Sequence, residues 1–279
     1  EYSQMHANYP SQTYVNSLPD TSFFFLNTRV APFSSLAARR AVNYALDRRA
    51  LTSVEAIDDF SGGGKITCQV LPPDFPSYER YCPYTLDPGG GNWTAPDLVT
   101  AKTLVAQSGM KGTRVTVVDT PFFGNEKQSM ILVRTLNELG FVARLREIPA
   151  NKYFPEVANS KNGIQAGFFN WQSDYIAASN FFEPLLACNS FQPSSSSNLN
   201  ASELCDRSID REIARAAEAQ LSNSGASVAD WTKVDHEVVD EAPWVPVANP
   251  QTIDFVSRRV GNYQFNPQFG ELADLLWVQ

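Results

Sequence analysis

From Pro96 to Phe169 the spacing of apolar residues alternates between helical and extended, and no other feature restricts the fold as tightly. Pro96 suits the first turn of a helix with periodicity over Leu98–Val105, and Gly109 suits the left-handed position just past its end. Val115–Val118 reads as a strand. Ile131, Leu132, Leu136 and Leu139 then fall at helical spacing until Gly140 stops them. Phe141–Ile148 alternates apolar and charged residues, as a partly exposed strand does. A short helix near Lys152–Ala158 and a strand at Ile164–Phe169 complete β-α-β-α-β. Strands alternating with helices imply an α/β fold whose parallel or mixed sheet is covered by helices.

The flanking regions are less regular. Residues 1–20 are polar, contain Pro10 and Pro19, and read as an extended lead-in. Thr21 opens an apolar run ending in Asn27-Thr28, the pattern of a buried strand. Pro32-Phe33 breaks it, and Ser34 and Ser35 can start a helix that puts Leu36, Val42, Ala45 and Leu46 on one face. Arg39, Arg40, Asn43 and Asp47 take its polar positions. Residues 60–95, with Gly62-Gly63-Gly64, Pro72-Pro73 and Gly89-Gly90-Gly91, read as a long loop, which needs a staple or a function. Two helices fit 208–222 and 227–241, with Ser208 and Ser227 as N-caps and Asp230 completing a capping pattern. Strands near Trp244–Ala248 and Thr252–Val256 follow.

Much chemistry is excluded. A net charge of −8 with scattered basic residues argues against nucleic acid. No apolar run approaches the roughly 18 residues of a membrane span. No G-x-S-x-G, H-E-x-x-H or phosphate-loop motif is present, so a non-enzymatic protein is expected. Gly62-Gly63-Gly64-Lys65 lacks the following Ser or Thr and reads as a flexible loop. Asp58-Asp59 and Asp240-Glu241 read as solvated charge, and His236 as solvated or helix-pairing. His6 and His236 are not at ligand spacing and no C-x-x-C exists, so neither metal nor cofactor is expected. Cys68 and Cys82 bracket a Pro-rich loop, and Cys188 and Cys205 one rich in Ser and Asn. An even count across local loops reads as two disulfides in an oxidising compartment; the alternative is four free, buried thiols.

Several landmarks occur in an order that resembles the extracellular solute-binding proteins of ABC importers, family 5, the group carrying peptides, nickel and related solutes. They are Asn27-Thr28 with Pro32-Phe33 and Ala45-Leu46-Asp47-Arg48; Leu71-Pro72-Pro73 through Tyr78; Asp97 through Gly109; Trp171-Gln172-Ser173-Asp174-Tyr175 with Ser179-Asn180-Phe181; Ala242-Pro243 with Val245-Pro246; and Arg259 through Tyr263. The resemblance implies a periplasmic-binding-protein-like lobe (type II, peptide-binding class) with a mixed sheet flanked by helices and a remnant of the other lobe. Residues 1–28 would be that remnant and the crossover strand, 29–248 the C-terminal α/β lobe, and 249–279 the return to the first lobe. A start at Glu1 within such a pattern is expected of a piece of a longer protein.

The implied function is non-covalent capture of a small solute, peptide-like or other, between two lobes for delivery to an ABC permease in the membrane. The alternative is a ligand-sensing domain of a fused receptor. An extracytoplasmic monomer, membrane-anchored in its full-length form, is expected. Asp174 follows a predicted strand directly, where a loop at the carboxyl end of a sheet faces a crevice. By resemblance it grips a ligand's α-amino group; Trp171 and Tyr175, as aromatics beside it, are candidates to stack on the ligand. Read from the residues alone, Asp174 equally suits the cap of a helix near Ala177–Leu186, and the two aromatics suit the core. Ile176-Ala177-Ala178 stands where many members have P-D-P, which makes this loop less rigid and less acidic.

Overall fold

A computed structural model describes residues 2–55, 61–122, 125–222 and 225–279. The chain begins with α1 (Tyr2–Asn8), β1 (Thr13–Ser17), β2 (Asp20–Leu26), α2 (Leu36–Ala45), α3 (Arg48–Glu55) and β3 (Ser61–Ile66). After a long connection come α4 (Leu98–Ser108), β4 (Arg114–Asp119), α5 (Glu126–Glu138), β5 (Val142–Glu147), α6 (Ala150–Ala158) and β6 (Ala166–Gln172). Then follow α7 (Ser179–Leu186), α8 (Arg207–Ser222), α9 (Ser227–Glu241) and β7 (Trp244–Phe255). Two short ribbons, Val260–Gly261 with Trp277–Val278 and Phe265–Asn266 with Gly270–Glu271, close the chain.

The expected β-α-β-α-β block forms, with β5 and β6 both parallel to β4. It belongs to a seven-stranded mixed sheet in the order β1-β7-β2-β6-β4-β5, with β3 also pairing β7. Three consecutive phenylalanines explain why β2 is central. Successive side chains point to opposite faces, so Phe23 and Phe25 enter one core and Phe24 the other, each at most 1% exposed. One face carries α2 to α5 and the other α6 to α9, giving an α/β/α sandwich. Gly167 lets β6 approach its neighbours, since a Cβ there would lie 2.6 Å from Val118 and 2.9 Å from Phe25.

Several local readings need correction. Residues 2–20 are not an extended lead-in: α1 opens them, β1 pairs along Gln251–Phe255, Tyr9 meets Phe255 edge-on and Tyr14 lies tilted against Tyr263. Trp244–Phe255 form one strand, not two. Pro246 and Pro250 have no N–H to donate, and register irregularities lie opposite both. The Gly62-Gly63-Gly64 stretch is part of β3 rather than a flexible loop. Asp206, not Ser208, caps α8 by accepting the Ser208 and Ile209 amides. Ser227 is the first helical residue of α9, and Asp230 pairs with Arg215 at 2.7 Å. Asp58-Asp59 lie outside the described residues.

The largest departure is burial of polar groups on α2 and α3. Asn43 donates to Trp244 O, and Arg39 to Phe33 O, Glu241 O and the Glu241 carboxylate, so Glu241 is paired rather than simply solvated. Its neighbour Asp240 accepts the Tyr81 hydroxyl. Arg48 is fully buried among neutral acceptors: Nε donates to Pro246 O (2.8 Å) and Thr67 O (3.1 Å), and the terminal nitrogens to Asn43 O (3.0 Å) and Asn43 Oδ1 (3.1 Å). Burial pushes its guanidinium down to about 9, which keeps it charged at neutral pH.

The cysteines form Cys68–Cys82 and Cys188–Cys205 disulfides with none free. The first closes the long connection, and Asp235 of α9 holds that loop from beneath. Asp235 accepts from Gln69 Nε2 (2.9 Å) and Val70 N (3.1 Å) with no exposure to solvent. His236, beside it, stacks on Tyr81. Burial pushes the Asp235 carboxyl up to about 7, against the lowering effect of its Gln69 and backbone hydrogen bonds.

Two outcomes are expected. Arg48→Met leaves buried carbonyl oxygens without donors and should cost about 3 kcal/mol or more by urea unfolding. Arg48→Lys should rescue little of it, because an ammonium cannot reproduce the planar fork. The second concerns pH. The folded state holds the Asp235 proton more tightly than the unfolded state, so its contribution is full below about 4 and is lost as pH rises through about 7. Melting curves from pH 4 to 8 should show a shallower decline for Asp235→Asn than for the parent protein.

Candidate ligand-binding site

In open α/β sheets, ligands occupy the crevice at the carboxyl ends of parallel strands. Here those ends are Asp119, Glu147 and Gln172. Beyond β6 the chain turns at Ser173, whose N–H donates to Pro19 O, and passes through Asp174 and Tyr175 into α7.

Asn180, in the first turn of α7, organises this loop. Its Oδ1 accepts both the Trp171 indole N–H (3.1 Å) and the Asp174 backbone N–H (2.9 Å), and its Nδ2 donates to Asp174 Oδ2 (3.2 Å). Asn180 is itself buried. The sequence places Trp171, Asp174 and Tyr175 close in the chain; the structure adds the clamp that fixes two of them. Trp171 is half-buried against the core, and Asp174 and Tyr175 are exposed. Asp174 does not cap α7, because Ala178 holds that position without a side-chain bond. One carboxylate oxygen is thus oriented by Asn180 at an exposed position beside an indole edge, an arrangement suited to a cationic group.

Sequence reasoning missed the supporting residues. Asn180 lies inside the quoted Ser179-Asn180-Phe181 segment, so its signal was present. Gln268 was not flagged by any pattern; its Nε2 donates to Ser173 O at 3.0 Å and ties the C-terminal segment to the loop. Asp20 starts β2 opposite Gln172 and is buried, with Asn170 Nδ2 at 3.2 Å from Oδ2. Burial pushes its carboxyl up to about 6, and the Asn170 bond offsets part of that. Among the described residues no group of His, Cys, Asp and Glu could hold a metal ion, and no helix is long and apolar enough to cross a membrane.

The chain is similar to known proteins in sequence and in fold. Residues 3–193 match the family model for bacterial extracellular solute-binding proteins, family 5 middle. The probable di/tripeptide-binding protein 5 of Pseudomonas aeruginosa is 26% identical over 253 residues, covering 88% of this chain and 44% of that one. Heme-binding protein A of Haemophilus influenzae is 25% identical over 257 residues, covering 89% of this chain and 42% of that one. The chain therefore spans about half the length of these relatives. Among solved structures, the clavulanic acid biosynthesis oligopeptide binding protein 2 superposes with a TM-score of 0.84 at 21% identity, over 100% of this chain and 50% of that one. The DppA protein of Helicobacter pylori, solved in complex with the peptide STSA, gives 0.76 at 20% identity, over 99% and 50%.

Asn180→Ala should remove the acceptor shared by Trp171 and Asp174 and cost about 1–3 kcal/mol. In a ¹H–¹⁵N spectrum the Trp171 indole resonance should move toward its solvent-exposed position, with the other tryptophans as internal references.

Proposed function

The chain belongs to the bacterial extracellular solute-binding proteins, family 5, and from that premise we propose that it forms one lobe of a two-lobed protein capturing a small solute for delivery to an ABC permease. The family consists of binding proteins, not enzymes. In this reading residues 29–248 supply one wall of the cleft, and residues 1–28 and 249–279 belong to the base of the opposite lobe. The complete protein works outside the cytoplasm, anchored to the membrane, as a monomer. Capture relies on shape and a few polar anchors, with lobe closure excluding water.

The observation that carries the reading is the oriented, exposed Asp174 carboxylate, held by Asn180 beside Trp171 at the carboxyl end of β6. A free amine placed there forms a charge-assisted hydrogen bond that strengthens when the cleft closes and water leaves. Trp171 and Tyr175 provide flat apolar surface next to it. Val70, just before Leu71-Pro72-Pro73, accepts the Thr21 hydroxyl, and Thr21 lies opposite Trp171 in the sheet. Ile176-Ala177-Ala178 leaves the loop with one carboxylate, so the anchor is a single salt link and accepts amines on peptide-like and other solutes alike.

Asp174→Asn in the complete protein preserves size and the Asn180 contact while removing charge. Affinity for an amine-bearing solute should fall about ten- to a hundredfold, and its N-acetylated analogue should be barely affected. Calorimetry on both ligands and both proteins separates the cases; equal losses for both analogues, or none for either, would remove Asp174 from the site.

A further inference from the structure

Beyond the β3 edge of the sheet, with β7 and β2 between it and the strand that carries Asp174, lies a cavity of about 190 Å³. The Cys68–Cys82 bridge forms part of its wall, with Gln69, Tyr78, Tyr81, Asn92 and Trp93 around it. The loop that closes it is held in shape. Thr85 Oγ1 accepts the Thr94 N–H at 2.8 Å and donates to Ala95 O at 3.0 Å, which seals the neck of the segment carrying Asn92 and Trp93. Gly91 turns that segment with a φ of 65°, and a Cβ there would lie 2.9 Å from Arg80 O. Tyr81 is fixed by stacking on His236 and by its hydroxyl bond to Asp240.

The polar groups of the wall divide into satisfied and open ones. Gln69 is fully engaged: it donates to Glu79 O and Asp235 Oδ2 and accepts the Tyr81 N–H. The Trp93 indole nitrogen, by contrast, is buried and has no hydrogen-bond partner. Tyr78 packs its ring against the core, and its hydroxyl makes no hydrogen bond among the described residues. Asn92 donates from Nδ2 to Gly90 O and keeps Oδ1 open. One donor, one hydroxyl and one acceptor therefore face a common space without partners in the chain, and an unmet buried N–H is costly.

The lining also restricts what can enter. It contains no charged side chain, so an ion would lose hydration with nothing opposite to replace it. A purely apolar molecule would leave the three open groups unmet. About six waters would occupy this volume, and a cyclic polyol replaces them with hydroxyls while resting its C–H faces on aromatic rings. We propose that this cavity is a second binding site, taking one ring of a neutral sugar, with its hydroxyls on Trp93 Nε1, the Tyr78 hydroxyl and Asn92 Oδ1. The proposal stands independently of the amine anchor at Asp174.

The test is a titration of the complete protein, labelled with ¹⁵N at tryptophan, with glucose, galactose, glucuronate and glycerol. Trp93→Phe identifies the Trp93 indole resonance by its loss. Glucose or galactose should shift that resonance saturably with a Kd of about 1 mM, as a small ligand held by a few hydrogen bonds does. Tyr78→Phe keeps the ring and the probe but removes the hydroxyl, and should weaken binding about three- to tenfold. Saturation transfer from protein to sugar should fall by a similar factor in Trp93→Phe, which keeps an aromatic face and loses the N–H; circular dichroism checks that both variants fold. No saturable shift with either neutral sugar, an equal response to glycerol, tighter binding of glucuronate, or an unchanged Kd in Tyr78→Phe overturns the site.

Discussion

A single buried guanidinium ties together the end of α2, the chain leaving β3 and the long strand β7. Arg48 reaches Asn43 at the end of α2, Thr67 just after β3 and Pro246 on β7, using neutral oxygens and no carboxylate. Burying a charge without a counter-ion is costly, and four hydrogen bonds to preoriented dipoles offset that cost. The position of Pro246 matters because β7 is the strand against which β1, β2 and β3 all align. β2 in turn pairs with β6, whose carboxyl end carries the Trp171–Asp174 loop. Displacing β7 therefore displaces the site, although Arg48 touches none of its residues.

What could be read in the sequence follows from how far each residue's partners lie along the chain. The elements from α4 to β6 were legible because their signals are local. Gly109 and Gly140 take the positive φ of 67° and 95° expected of residues ending helices. Arg39 and Asn43 misled because polar residues on an amphipathic helix suggest solvent, whereas their partners Glu241 and Trp244 lie about 200 residues away. β1 was missed for the same reason, since nothing in Thr13–Ser17 announces a partner at Gln251–Phe255. Within the site, Trp171 and Asp174 stood out by order and spacing. The part played by Asn180 depends on α7 folding back over the loop, and that of Gln268 on the C-terminal segment returning to Ser173.

Two kinds of buried polar group contrast in this fold. Arg48 and Asn200 have their hydrogen bonds met by backbone and amide partners, and they fix loops and helix ends. Asp20 and Asp235 are carboxylates buried without a cation, and burial raises both toward neutrality. Asp235 accepts from two donors and lies under a disulfide-closed loop, and those hydrogen bonds offset only part of the effect of burial. Asp20 has a single amide donor on one oxygen and none on the other, and it lies where β2 begins beside the site loop.

The twelve-residue β7 has a further mechanical meaning. Its partner on one edge changes from β2 to β1 around Leu18-Pro19, while on the other edge the β3 register slips between Ser61 and Gly64. Both interruptions flank Ala248–Gln251, and Pro250 within that stretch donates no hydrogen bond. Through that stretch the β3 ladder continues at Ala248, Asn249 and Pro250, and Leu18 N–H donates to Pro250 O, so lateral support passes from one edge to the other and three strands share one unbroken spine.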